Sequence, residues 1–381
     1  MKYLRYAAVS LLVIYFFVIL YNLITHDRQW DFRAYYYAAA LHDKGGNPYD
    51  FGELVESSNG YVTLPYVYPP ITLYFWKLLA AFDYPVAYYL RFGLKVIIFI
   101  LLLLLWRRYF ITDPAYRILL YIFCLFGFKE AIQVDFYTGN VSLFEQVLIW
   151  PALWFFLKRK PIQFAVLILA ASLFKFTNMA LLLLLLLDRD GKSLIAIVAA
   201  PICLIGLNMI TFISDPQLTE GFFRSIVGLT ETGNTNQASL VLATHLANWL
   251  NRIFGMGIAY LDWIIYALYL IILLSAVYLH IRGYDFKANR LDFLMGGLFL
   301  YALVMPRFKD YSYIVLIVPS IYLIEKALAK PIYKALIIAA ICVTFFRFQG
   351  LLTVFILFII YLRYIKGKAL LLSPTPELTN R

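Results

Sequence analysis

Charged residues are scarce in this sequence. Asp, Glu, Lys and Arg make up 14% of its 381 residues, against about 25% in an average soluble chain. Only three cysteines occur, Cys124, Cys203 and Cys342, each inside an apolar run, so a disulfide framework is excluded. The four histidines, His26, His42, His245 and His280, have no metal-ligand spacing, and no metal or cofactor is expected. Hydrophobic residues fill 63% of the chain and the mean hydropathy is +0.78. No soluble core absorbs so much apolar side chain. Aromatics reach 18%, with 31 Tyr and 32 Phe, as suits a protein with much membrane-interface surface. The formal net charge of +11 comes from basic residues scattered between apolar segments. They form no stripe that would track a nucleic acid, and they read instead as topology signals.

A spanning helix needs about 20 mostly apolar residues. Candidate segments are 6–25, 86–106, 115–131, 139–157, 162–174, 176–187, 193–213, 257–280, 292–306, 311–327, 332–347 and 350–366. They predict an all-α polytopic fold of about 12 crossings, organised as a single transmembrane domain over 1–381. No small-residue cleavage site follows the first segment, so it is expected to be retained. With Met1 in the cytoplasm and one crossing per segment, 20 of the 33 basic residues fall at cytoplasmic ends, including Arg107-Arg108 and Lys158-Arg159-Lys160. Both termini are then cytoplasmic. Segment 70–82 is too short to span and carries Lys77; a crossing there would flip every later loop, so it is expected to lie along the outer interface. The short pair 162–174 and 176–187 is expected to form a hairpin with Lys175 at its tip.

This topology leaves two long outer segments, 26–85 and 214–256, and loops on one face of a scaffold are where function is usually built. The first contains Trp30-Asp31-Phe32-Arg33-Ala34-Tyr35-Tyr36-Tyr37, then the turn Gly45-Gly46-Asn47-Pro48, then Tyr66-Val67-Tyr68-Pro69-Pro70. A helix starting near residue 31 puts Asp31 and Tyr35 on one face, four residues apart.

Asp31, Tyr35-Tyr36, Ala38, Gly45, Pro48-Tyr49 and Tyr68-Pro69-Pro70 resemble the first outer loop of the GT-C superfamily of integral-membrane glycosyltransferases. Within it the pattern is most like glycosyltransferase family 87, the polyprenol-phosphate-mannose-dependent mannosyltransferases. Gly139-Asn140-Val141, with Asn140 where Gln is usual, Lys175 in its Leu-rich hairpin and Asn236-Gln237-Ala238-Ser239-Leu240 are also similar. The resemblance implies a sugar, mannose by family, moved from a polyprenyl-phosphate donor to a glycolipid or glycan acceptor at the outer leaflet of the cell membrane, with membrane lipids as its other partners.

Asp31 matches the family's catalytic acid and would be the general base for an inverting displacement. The departing lipid phosphate needs fixed cations. Arg307 and Lys309 in Met305-Pro306-Arg307-Phe308-Lys309-Asp310-Tyr311 come first, then Lys175 and Lys129. Asp310-Tyr311 stands where the family often has an aromatic-plus-His element. Tyr35, Tyr36, Asn140 and Gln237 would line the substrate site.

Each residue also has a structural reading. Asp31 can be a loop acid beside Arg28 or Arg33; the tyrosines can be an interfacial belt; Arg307 and Lys309 can snorkel to headgroups. Lys175 can pair with Glu130, Asp135 or Glu145, and Glu145, an acid inside a span, can be functional or a bundle hydrogen-bonding group. Asn236-Gln237 can simply order its loop. A flippase of lipid-linked saccharides or a glycan polymerase or ligase are the rival functions. A flippase is expected to show paired halves with broken helices, which the sequence does not, and a polymerase a large late outer loop.

Overall fold

The computed structural model describes residues 2–25, 29–227, 238–255, 257–328 and 350–372. Every regular element among them is helical, as expected for this composition. The chain divides into two compact units, Met1–Phe126 with Glu130–Thr230, and Gly127–Lys129 with Glu231–Arg381.

The first unit holds α1 (Lys2–Thr25), α2 (Trp30–Asp43), α3 (Phe51–Ser57), α4 (Ile71–Ala80) and α5 (Tyr84–Tyr109), followed by most of α6 (Arg117–Thr138), then α7 (Ser142–Leu157) and α8 (Pro161–Ser172). A 3₁₀ helix (Phe176–Leu187), α9 (Gly191–Ser214) and α10 (Pro216–Val227) complete it. Local chemistry sets many of these boundaries. Asp50 and Asp190 accept backbone N–H groups at the starts of α3 and α9. Proline opens α8 and stands at the second residue of α5, where its missing N–H costs nothing.

The loop helices are seated by an aromatic core. Phe32 and Tyr35 of α2 and Trp76 of α4 are buried, and the Tyr35 and Trp76 rings stack 4.7 Å apart. Segment 70–82 becomes the ten-residue α4, packed on α2 and far too short to cross a bilayer. α10 is amphipathic: Leu218 and Phe222 are buried, while Glu220 and Arg224 pair on its exposed face.

The expected hairpin is present as α8 and the 3₁₀ helix, with Lys175 between them in extended backbone. Twelve α-helical residues rise about 18 Å and twelve 3₁₀ residues about 24 Å. Both fall short of the roughly 30 Å hydrocarbon layer.

The second unit contains α11 (Ser239–Phe254), α12 (Leu261–Ile281), α13 (Arg290–Val304), a 3₁₀ turn (Asp310–Leu316), α14 (Ile317–Leu328) and α15 (Gly350–Leu372). α15 packs against α12, α13 and α14. Asp292 of α13 ties the turn after α12 to α14 and α15. Its carboxylate accepts from Tyr284, Tyr322 and Lys368, and its carbonyl from Tyr361.

The expected count of about 12 crossings is not confirmed. Among the described residues four helices are long and apolar enough to span, α5, α9, α12 and α15, and a fifth if 10–25 and 30–43 act as one span bent by 44°. Four further apolar runs fold as helices of 10–17 residues, α4, α7, α8 and the 3₁₀ helix. A hydropathy run does not reveal where a turn or a left-handed residue will cut it short. Segment 332–347 lies outside the described residues.

Candidate active site

Asp31 stands in the first turn of α2, where a carboxylate is favoured by the helix dipole. The start of α2 lies directly against the turn that ends α6. That turn needs glycine twice over. Gly139 has φ +74°, and a Cβ there would come within 2.8 Å of Phe32 Cβ and 3.1 Å of Phe32 N. The close approach presents the next residue, Asn140, to the α2 side chains.

Asn140 is the hub. It is 1% exposed, and its Nδ2 donates to Asp31 Oδ2 at 2.8 Å and sits 3.2 Å from the hydroxyls of both Tyr35 and Tyr68. Tyr35 in turn donates to Tyr68 at 2.8 Å. On its other side, Asn140 Oδ1 accepts from Ser142 Oγ at 3.1 Å and from Lys175 Nζ at 3.4 Å. Lys175 also donates to Ser142 Oγ at 2.9 Å and to Glu145 Oε2 at 2.6 Å, while Asn178 Nδ2 holds Glu145 Oε1 at 3.2 Å.

The tip of the hairpin thus reaches the start of α7, and Lys175 pairs with Glu145, one of the three acids considered for it. Tyr66 backs the tyrosine cluster, and burial pushes its phenol far above the ordinary range. It stays a neutral hydroxyl, hydrogen-bonded to Thr72 at 2.5 Å.

Two cations underpin the hub. Arg91 and Lys95 lie four residues apart on one face of α5, and both are fully buried. Arg91 donates to the carbonyls of Gly139 and Asn140, to the latter at 2.8 Å, and to Gln29 Oε1 at 3.2 Å. Lys95 bonds the Asp135 carbonyl at 2.6 Å and lies 2.5 Å from its carboxylate. Gln29 Nε2 takes the Phe136 carbonyl at 3.3 Å. The bare carbonyl end of α6 is thereby satisfied by positive charge and amide, as a buried helix C-terminus requires. Asp135 also accepts the Ser142 backbone N–H at 3.1 Å, which fixes the entry to α7.

Of the residues expected from sequence, Asp31, Tyr35, Asn140 and Lys175 therefore meet in one place. Tyr36 does not join them; its hydroxyl donates to the Phe82 carbonyl at 2.8 Å and its ring packs on Tyr84. Gln237 and its neighbour Asn236 lie outside the described residues. Lys129, Arg307 and Lys309 belong to the second unit. Lys129 sits within α6 in a run of three positive-φ residues, Phe128–Glu130, with φ values of 51–62°. Arg307 is exposed and Lys309 half-buried on the turn after α13. Burial raises the Asp310 carboxyl above its usual range, opposed by Lys129 and Lys309. Among the described residues no group of three His, Cys, Asp or Glu side chains could hold a metal ion.

Residues 66–306 match the sequence profile of glycosyltransferase family 87, well over half of the chain. The chain belongs to glycosyltransferase family 87. Neither the search of curated proteins nor that of solved structures returns a match. The family match begins after α2, so Asp31 and Tyr35 precede it, whereas Tyr68, Asn140, Lys175 and Arg307 lie within it. Sequence reasoning did not single out Tyr68, Ser142 or Asn178 as site residues, nor Arg91 with Lys95 as the support. For the cations a signal existed: two bases four residues apart inside an apolar run, each costly in hydrocarbon unless paired.

Proposed function

We propose that this glycosyltransferase moves a sugar, mannose by family, from a polyprenyl-phosphate donor to a hydroxyl of a lipid-linked or glycan acceptor at the outer leaflet. Asp31 acts as the general base. The acceptor oxygen attacks the anomeric carbon and its proton passes to the Asp31 carboxylate. The bond from that carbon to the phosphate oxygen breaks with inversion, and the lipid phosphate departs as an anion. The observation that supports this reading is the Asp31 carboxylate, half-buried in a family-87 chain and held at 2.8 Å by an amide that donates to nothing charged besides it. Such a carboxylate is oriented, and a carboxylate is acceptor-only with about four lone-pair sites, the chemistry a general base for a hydroxyl requires. Tyr35 and Asn140 would line the sugar site. Arg307, Lys309 and Lys129 remain the proposed partners of the donor phosphate, because developing phosphate charge calls for fixed cations.

The test is transfer from radiolabelled polyprenyl-phosphate-mannose to membrane glycolipid by protein in nanodiscs, comparing wild type with Asp31→Asn at matched thermal stability. Losing a general base costs about 10²–10⁴-fold in rate. Equal activity in the two proteins would remove Asp31 from the chemistry. Absence of transfer from any lipid-phosphate sugar would remove the donor class.

A further inference from the structure

Lys175 is one of the cations that chemistry would first offer to a donor phosphate, but its ammonium is already committed. An ammonium has three hydrogens, and Lys175 Nζ has three acceptors at hand: Glu145 Oε2 at 2.6 Å, Ser142 Oγ at 2.9 Å and Asn140 Oδ1 at 3.4 Å. Glu145 balances its charge and is itself 4% exposed, with its second oxygen held by Asn178. Little of this cation is left for an anion.

The same contacts give it another task. A side-chain amide can sit in either of two orientations that differ by a half-turn. Asn140 is buried between a carboxylate, Asp31, on one side and an ammonium, Lys175, on the other. With Nδ2 toward Asp31 and Oδ1 toward Lys175 and Ser142, both ends are complementary. The flipped amide would set its oxygen against the carboxylate and its hydrogens against the ammonium, and buried mismatches of that kind are costly. The cation also polarises the amide, which strengthens the hydrogen bond it gives to Asp31.

We infer that Lys175 and Glu145 are positioning residues that fix the Asn140 amide and, through it, the Asp31 carboxylate, rather than ligands of the donor phosphate. This rests on the reading of Asp31 as the general base. The pair sits at the join of two structural elements, the hairpin tip and the first turn of α7, so the orientation of the carboxylate depends on how the hairpin seats against α7.

The test is a kinetic double-mutant cycle in nanodiscs with polyprenyl-phosphate-mannose. Lys175→Met alone would leave Glu145 buried without its cation, so Lys175→Met/Glu145→Gln, which removes both charges together, is measured beside it, and thermal unfolding reports whether each variant folds. Both are expected to lower kcat about tenfold or more, with the donor KM within about twofold of wild type. In an Asn140→Ala background the further loss on removing Lys175 should vanish, because the amide it orients is gone. Lys175→Arg, which keeps a cation at the site, should recover part of kcat. A donor KM raised tenfold with kcat unchanged, or full additivity with Asn140→Ala, would overturn the inference. If Asp31→Asn is as active as wild type, the general-base reading fails instead, so the two failures are told apart.

Discussion

Asn140 Nδ2 lies 2.8 Å from Asp31 Oδ2 across 109 residues of sequence. That bond joins a helix preceding the family match to a turn inside it. It also makes Asn140 a sensitive probe of the carboxylate. Asn140→Asp is nearly isosteric but replaces the amide donor with a second carboxyl at hydrogen-bond distance. Two such groups cannot both ionise freely, and one binds its proton more tightly. The base is then protonated over more of the pH range, so the acid limb of the kcat/KM profile should move to higher pH and the rate at neutral pH should fall by about tenfold or more. A pH–rate series on wild type and variant checks this. An unmoved acid limb would show that the titrating base is not in contact with residue 140.

Gly139 controls the approach of the two elements. Its φ of +74° penalises any side chain, and an alanine Cβ would press on Phe32 and Gln29. Gly139→Ala should therefore cost about 1–3 kcal/mol and should also push α2 away from Asn140. The expected result is a lowered melting temperature together with a fall in kcat beyond what the loss of folded protein explains. Gly93 and Gly206, around which a Cβ meets nothing within 4 Å, are controls. Alanine at either should leave the melting temperature and kcat near wild type. A Gly139→Ala protein as stable and active as these controls would refute the close-packing argument.

The all-helical class, the membrane character and the place of Asp31 and Tyr35 on one helix face were legible in the sequence, because composition and a 3.6-residue period carry them. The seating of Lys175 at a hairpin tip followed from two apolar runs too short to span. Two things were not legible. Where a helix ends depends on residues such as the left-handed Gly139 that stops α6, so an apolar run does not by itself give a helix length, and the expected number of crossings is not confirmed among the described residues. Partner choice across long separations was also hidden: nothing local says that Asn140 meets Asp31, or that Tyr36, next to Tyr35, turns instead to Phe82. Adjacent helical residues point about 100° apart, and only tertiary packing decides which of them reaches a site.

The buried pair of Lys95 and Asp135 is a stability device beneath the site, and its two members should not be separable. Both side chains have no exposure, and they lie 2.5 Å apart. Lys95→Met leaves Asp135 charged and buried, still holding the Ser142 N–H but without its cation. Breaking a buried pair from one side typically costs about 3–5 kcal/mol, whereas removing both partners together is often far less costly. Lys95→Met should thus lower the melting temperature strongly, and Lys95→Met/Asp135→Asn should restore much of the loss, since asparagine keeps an oxygen to accept from Ser142 and carries no charge. The carbonyl end of α6 still loses one cation in the double variant, so recovery should be incomplete. Thermal unfolding of the three proteins in nanodiscs decides the matter. If the double variant is as unstable as the single one, the contribution of Lys95 lies in its bond to the Asp135 carbonyl rather than in charge pairing.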